Sequence, residues 1–497
     1  MINGLPATEE LRLRSGTGRL ALVATVAASG MASLDATVVN VALPHIGADL
    51  HADVSSLQWV LTGYLLALAS LILLGGALGD RFGRRRVFLV GTVWFAAASL
   101  LCGAAPTIGF LIGARVLQGI GGALLTPGSL AILQASFRPA DRAAAVGAWS
   151  GLGGVAGALG PLVGGALVGG PGWRWAFLLN VPVAVLVVIC ARAVPETHDP
   201  HASGRLDLRG AALAIVTLAT STWALTRAGP AGWTDPVVMT TGAVAIVTGG
   251  VFVRHLLRAS GPLLPPSLFR NRTFTVTNLA TVLVYGALGV AFFLVAFQLQ
   301  VAADWSPLEA GLALLPATVL MLIFSAPSGA LAQRIGPRFQ LTVGPLVIGL
   351  GLVLLARIGP DATWLADVFP GALVFGIGLV TFVAPLTATV MAAADPDHVS
   401  VASGVNNAIA RAASLAMLSL IPTVSGLSVA VGAVAVTHSF RVALLISAAV
   451  AAAAGPLGYF GLPARTRAPR TLRAVHCAVD GAPVQPDPRR CSLPPAA

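Results

Sequence analysis

Two charged side chains stand in stretches that are otherwise apolar or small. Asp35 lies in MASLDATVVN (31–40), within an uncharged run from about 20 to 43, and Arg115 opens RVLQGIGGALLTPGS (115–129) inside the run 108–131. An isolated charge in such a setting costs several kcal/mol unless it is paired or neutralised. Of the 19 Asp and Glu residues, Asp35 is the one placed well inside an apolar segment. About fifteen residues from the N-terminal end of the run, at 1.5 Å per residue, set it roughly 22 Å along a helix, at or slightly beyond mid-membrane if that helix spans one. Apolar surroundings favour the neutral acid and a nearby guanidinium favours the carboxylate. A group balanced between the two can load and release a proton. The alternative is structural, with Asp35 bonded to a helix end and Arg115 to backbone carbonyls. The sequence leaves open whether the two touch.

The segments that must position these groups are long and numerous. The chain has 497 residues, 56% hydrophobic and only 10% charged, far too few charges to cover a water-facing surface. Fourteen apolar runs are each long enough to cross a hydrocarbon core as a helix. Six fall in 20–194, two in 195–272 and six in 273–461, after a segment 1–19 and before an Arg- and Pro-rich tail, 462–497, that reads as disordered. All 30 basic residues are arginine. Numbered from an inside N-terminus, 24 of them fall in inner segments and four (Arg174, Arg227, Arg357, Arg441) outside, which predicts cytoplasmic termini and an even helix count. The net charge of +11 is explained by this asymmetry, without nucleic acid.

Helical spacing sorts the polar residues into faces. Arg115, Gln118, Gly122, Thr126 and Ser129 share a stripe roughly 80° wide, which must face protein or a wet cavity. Ser33, Thr37 and Asn40 form another stripe, roughly opposite Asp35 on the same helix, so that helix is polar on two sides. Which side meets a cavity is left open. In the second half, Asn278 and Tyr285 share a face, and Asn406, Asn407, Arg411 and Ser414 follow; each is also explicable as packing. GGVAGALGPLVGGAL brings Gly160, Pro161 and Gly164 together, a bent and close-packing stretch. The segment end GGALGDRFGRRR recurs as SGALAQRIGPRF at an offset of 253, matching Gly76 with Gly329, Arg81 with Arg334, Gly83 with Gly336 and Arg85 with Arg338. Duplicated halves are how many transporters build a central site with two faces.

GALGDRFGRRR (76–86) resembles the signature loop of the major facilitator superfamily. LDATVVNVALP (34–44), WRWAFLLNVP (173–182) and the fourteen segments together resemble its fourteen-helix drug:proton antiporter branch. The resemblance implies an all-α polytopic membrane protein of two six-helix bundles with a two-helix insert, exporting lipophilic or amphipathic drugs or antibiotics across a plasma membrane, the bacterial inner membrane. It assigns proton coupling to Asp35 and Arg115, a conformational-switch loop to Gly76, Asp80, Arg81, Gly83, Arg84 and Arg85, and the antiporter motif to Gly160, Pro161 and Gly164. Cavity candidates are Asn40, Gln118, Thr126, Asn278, Tyr285, Asn407 and Arg411. The alternative within the same fold is a proton-coupled importer of a small metabolite.

Enzymatic readings find little support. The four cysteines are scattered, no His-x-x-x-His pair exists, and no phosphate-binding loop ends in lysine, so neither metal, cofactor nor ATP is expected, nor an obligate protein partner. One embedded carboxylate disfavours dications and leaves neutral or singly charged compounds as cargo.

Overall fold

Short polar side chains open many of the helices. Ser15, Asp53, Thr107, Asp207, Asp235 and Asn271 each accept a hydrogen bond from a first-turn amide of the helix that follows, and Ser306 forms a reciprocal capping box with Glu309. The structure, a computed structural model, describes residues 10–197, 206–259, 262, 264, 266–393, 399–427 and 432–463. The tail expected to be disordered lies outside the described residues beyond 463. In chain order the helices are α1 (Gly16–Leu50), α2 (Val54–Phe82), α3 (Arg84–Gly103), α4 (Ile108–Ser136), α5 (Pro139–Gly169), α6 (Trp175–Leu178), α7 (Asn180–Ala191) and α8 (Leu208–Ala231). There follow α9 (Pro236–Arg258), α10 (Arg272–Val301), α11 (Pro307–Leu312), α12 (Leu315–Ile335), α13 (Pro337–Leu355), α14 (Phe369–Ala392), α15 (Val399–Val424) and α16 (Ala433–Gly461). No β-strand occurs among the described residues; a single bridge joins Leu11 to Phe137.

This is an all-helical, multi-pass membrane protein. Twelve spans among the described residues are long and apolar enough to cross a bilayer, against the fourteen expected. The two runs not among them are α5 (Pro139–Gly169), a helix of 31 residues whose fully described apolar piece is Leu159–Gly169, and Trp175–Ala191, which breaks between α6 and α7. Pro182 lacks the amide that would bond the Leu178 carbonyl, so the first turn ends there. Pro316 does the same to Leu312 and separates α11 from α12.

α1 to α7 pack as one set around the α2–α4, α3–α4 and α1–α5 pairs, and α10 to α16 as another around α13–α14, α13–α16 and α10–α15. The sequence repeat has a conformational counterpart. Gly83 joins α2 to α3 with φ of 108°, and Gly336 joins α12 to α13 with φ of 86°, a region closed to most side chains. Each closes the preceding helix with its own amide, on Gly79 at 3.0 Å and on Ala332 at 2.9 Å. α8 packs on α9 and lies against both α2 and α15, with Thr423 Oγ1 donating to the Leu225 carbonyl at 3.0 Å. α9 touches little else, and Ile246 (78% exposed) and Leu257 (70%) suit lipid rather than water.

Helix ends meet on two faces. On the arginine-poor face, Asp49 pairs with Arg174 at 2.8 Å and accepts from Trp173 Nε1 at 3.0 Å. On the arginine-rich face, the segment before α1 is pinned to the α4–α5 turn, with the Leu11 amide donating to Ser136 and the Leu13 amide to Asp141.

Candidate functional site

Two helices, α4 and α7, bring donors to Asp35, which is 1% exposed. Arg115 of α4 donates through Nη1 to Oδ2 at 2.6 Å. Gln118, one turn on, and Asn180, at the start of α7, donate to Oδ1 at 2.8 and 3.0 Å. Ser99 of α3 accepts from both amides, at 2.8 and 3.2 Å, and donates to the Phe95 carbonyl. Arg115, fully buried, also donates through Nε to the Val60 carbonyl at 3.0 Å and through Nη1 to Gln118 Oε1. Its guanidinium lies 4.3 Å from the centroid of the Tyr64 ring. The carboxylate, guanidinium and amides thus compensate one another, which is the condition for keeping a pair out of water. In this arrangement Asp35 accepts three hydrogen bonds, two on Oδ1 and one on Oδ2, and is closed off from open space.

The Ser33–Thr37–Asn40 stripe, on the other side of α1, faces a cavity of about 350 Å³ between the two sets of helices. Its wall includes Tyr64, Arg115 and Pro161 from the first set, and Tyr285, Phe292, Met321, Arg411 and Ser414 from the second. Arg115 is therefore common to the cavity and to the Asp35 network.

Of the residues expected in the cavity, Asn40, Tyr285 and Arg411 line it; Gln118, Thr126, Asn278 and Asn407 do not. Gln118 is consumed by the ion pair. The Thr126 hydroxyl is buried and has no partner among the described residues. Asn278 donates to the Phe274 carbonyl at 2.8 Å and accepts from Asn406 at 3.0 Å, tying α10 to α15. The reason is rotational: a stripe drawn on one helix cannot say which neighbour occupies which part of it.

At the duplicated loop, Asp80 pairs with Arg84 at 2.8 Å, and Arg81 sits over the Phe82 ring. Close approach of α2 to α4 in this segment is at Gly75 rather than at Gly76 of the expected switch loop. A Cβ at Gly75 would come within 2.1 Å of the Ala123 carbonyl oxygen, whereas one at Gly76 would find ordinary contact with Pro127 at 3.6 Å. Gly160 and Gly164 pack on α1, where added Cβ atoms would meet Thr37 Oγ1 and Val38. Gly165 and Gly311 join α5 to the other set, a Cβ at Gly311 falling 2.1 Å from the Pro161 carbonyl oxygen.

Sequence reasoning missed three residues. Asn180 and Ser99 complete the Asp35 network; Asn180 lies within WRWAFLLNVP (173–182), which carries the family resemblance but gives it no role. Glu196 accepts from the Arg85 and Arg86 amides at 3.0 and 3.1 Å, capping α3 from the end of the α7 segment. It stands just past the last apolar residue of that segment, where an acid suggests only a solvated loop.

A fold of paired helical sets around a central cavity, with an ion pair buried beside it, defines a secondary transporter. The family model of the Major Facilitator Superfamily matches residues 25–419, and the chain belongs to that family. It is 34% identical over 469 residues to a puromycin resistance protein of Streptomyces alboniger, covering 90% of this chain and 92% of that one. A tetracenomycin C resistance and export protein of Streptomyces glaucescens is 34% identical over 390 residues, with 77% and 71% covered. Among solved structures, a bacterial homologue of the human lysosomal transporter Spinster, inward-facing and unoccupied, superposes with a TM-score of 0.64 at 17% identity, covering 90% of this chain and 97% of that one. A peptide transporter POT in complex with sulfate gives 0.64 at 15% identity, covering 91% and 96%. At such identities these two likenesses speak for the fold alone.

Proposed function

We propose that this protein exports antibiotic-like amphipathic molecules in exchange for protons. The observation that carries the reading is the buried Asp35–Arg115 pair beside the cavity, with Arg115 among the residues that line it. Resistance and export functions in the names of its relatives supply the direction of transport and the class of cargo.

The residues divide the work as follows. In the conformation seen, Arg115 holds Asp35 through its guanidinium. Withdrawal of Arg115 toward the cavity would free an Asp35 oxygen for a proton; its return would expel that proton. Closure of the arginine-poor face rests on α5 against α11 and on Gln300 Nε2 donating to the Val41 carbonyl at 3.0 Å. Rocking the bundles 20–194 and 273–461 about such contacts, with 195–272 as the insert, would expose the cavity to one face and then the other. Counting α5 and the α6–α7 pair as crossings gives fourteen. The arginine asymmetry supports cytoplasmic termini in a bacterial inner membrane.

The test is drug-dependent proton movement in everted membrane vesicles, with puromycin and tetracenomycin C as trial cargo. The expected result is loss of coupled flux in Asp35→Asn while cargo binding persists. Undiminished coupled flux in that variant would overturn the role given to Asp35. Gradient-driven movement of cargo out of the everted lumen would overturn export.

A further inference from the structure

The cavity wall carries cations and no acid. Among the described residues that line it there is neither Asp nor Glu, while Arg115 and Arg411 both reach it. The two cations differ in what opposes them. Arg115 is neutralised by Asp35 at 2.6 Å. Arg411 stands midway along α15, half-buried, and neither hydrogen-bonds nor pairs with any described residue. A guanidinium held in a mostly apolar wall without a counter-charge is costly to keep. It is also a rigid fork of donors whose geometry matches a carboxylate.

The surroundings fix the helix that carries this fork and shape what it can receive. Ser414 Oγ, on the same face of α15, donates to the Tyr285 carbonyl at 2.9 Å and fixes α15 against α10 beside Arg411. The rest of the wall is largely apolar, with Leu61, Leu288, Phe292, Leu314, Met321 and Leu379 around a space of about 350 Å³. That volume falls in the range that takes a drug-sized ligand.

We infer that the cavity is a binding site for singly charged amphipathic organic anions, with the anionic group on Arg411 and the apolar body against the α10, α12 and α14 side chains. The inference rests on the exporter reading only for the claim that the occupant is cargo. It narrows neutral or singly charged compounds to one sign.

Three probes share one body and differ in charge: 2-naphthylacetate, 2-naphthylacetamide and 2-naphthylethylammonium. Their equilibrium binding is measured on the purified full chain in nanodiscs of neutral lipid, which supply no competing anionic headgroup. The expected order is acetate first by about ten- to a hundredfold over the amide, the range of one charge-assisted hydrogen bond, with the ammonium weakest. Arg411→Gln should abolish the difference between acetate and amide; Arg411→Lys, which keeps the charge and loses the fork, should retain part of it. Equal affinities, preference for the ammonium, absence of saturable acetate binding, or discrimination that survives Arg411→Gln would each overturn the proposal. If Arg411→Gln fails to fold, the wild-type series and Arg411→Lys still decide. Binding needs no gradient, so selective acetate binding without transport in everted vesicles would sink the exporter reading alone. Export of neutral compounds with indiscriminate binding would sink the anion site alone.

Discussion

Asp35 accepts three hydrogen bonds from two side-chain amides and one guanidinium; Gln118 also accepts from Arg115, and both amides donate to Ser99. Removing the acid alone leaves Arg115 charged, buried and opposed by nothing. Asp35→Leu is therefore expected to cost about 3–5 kcal/mol, whereas Asp35→Leu combined with Arg115→Leu should recover much of that loss. Thermal unfolding midpoints of the purified variants check the order; a double variant less stable than the single one would refute it. Asp35 and Arg115 were legible in the sequence because charges in an apolar run are rare and need a reason. Asn180 and Ser99 were not, since amides and hydroxyls are common in membrane helices. Their aim is set by how α7 and α3 rotate against α1, and no residue spacing within one helix fixes that. The same rotation turns Ser33, Thr37 and Asn40 to the cavity and Asp35 away from it.

Helix starts and turns were the most readable features at the next scale, because they are local. A capping side chain or a glycine with positive φ acts within a few residues, so Gly83 and Gly336 could be paired across 253 positions before any packing was known. The breaks at α6–α7 and α11–α12 were also local, written in Pro182 and Pro316, but uninterrupted apolar runs hide them. At the start of α9, the Arg227 guanidinium and then the Val238 amide hold the Asp235 carboxyl below the usual carboxylate range. A lowered value in the folded state means the cap is in full force above the unfolded value and is lost as pH falls through the folded one. The α8–α9 turn should therefore be insensitive to pH between roughly 5 and 8 and loosen only below the normal carboxylate range. Hydrogen exchange at the Val237 and Val238 amides, corrected for its intrinsic pH dependence, reads this out; loosening near neutrality would contradict it.

Two sets of helices enclosing one cavity is a property of the whole molecule, and the repeat announced it only in outline. Where the two sets meet was not readable, because they meet through residues far apart in the chain, such as Gly165 with Leu308 and Gly311 with Pro161. Backbone oxygen lies 2.1 Å from where a Cβ at Gly311 would stand, and a backbone does not yield as a side chain does. Gly311→Ala should prevent full closure of the arginine-poor face and slow transport severalfold. A cysteine placed at Asn40 in a cysteine-free background should then label faster with an impermeant maleimide applied from that face. Unchanged labelling would show that the contact does not govern closure.

The acid-free cavity wall also bears on what drives the cycle. A cation leaving as one proton enters moves no net charge, and a neutral cargo moves one. An anion leaving against one proton moves two charges in the same sense, so each 100 mV of inside-negative membrane voltage would contribute about 4.6 kcal/mol per turnover. Export of such a cargo would continue on voltage alone after the pH gradient had collapsed.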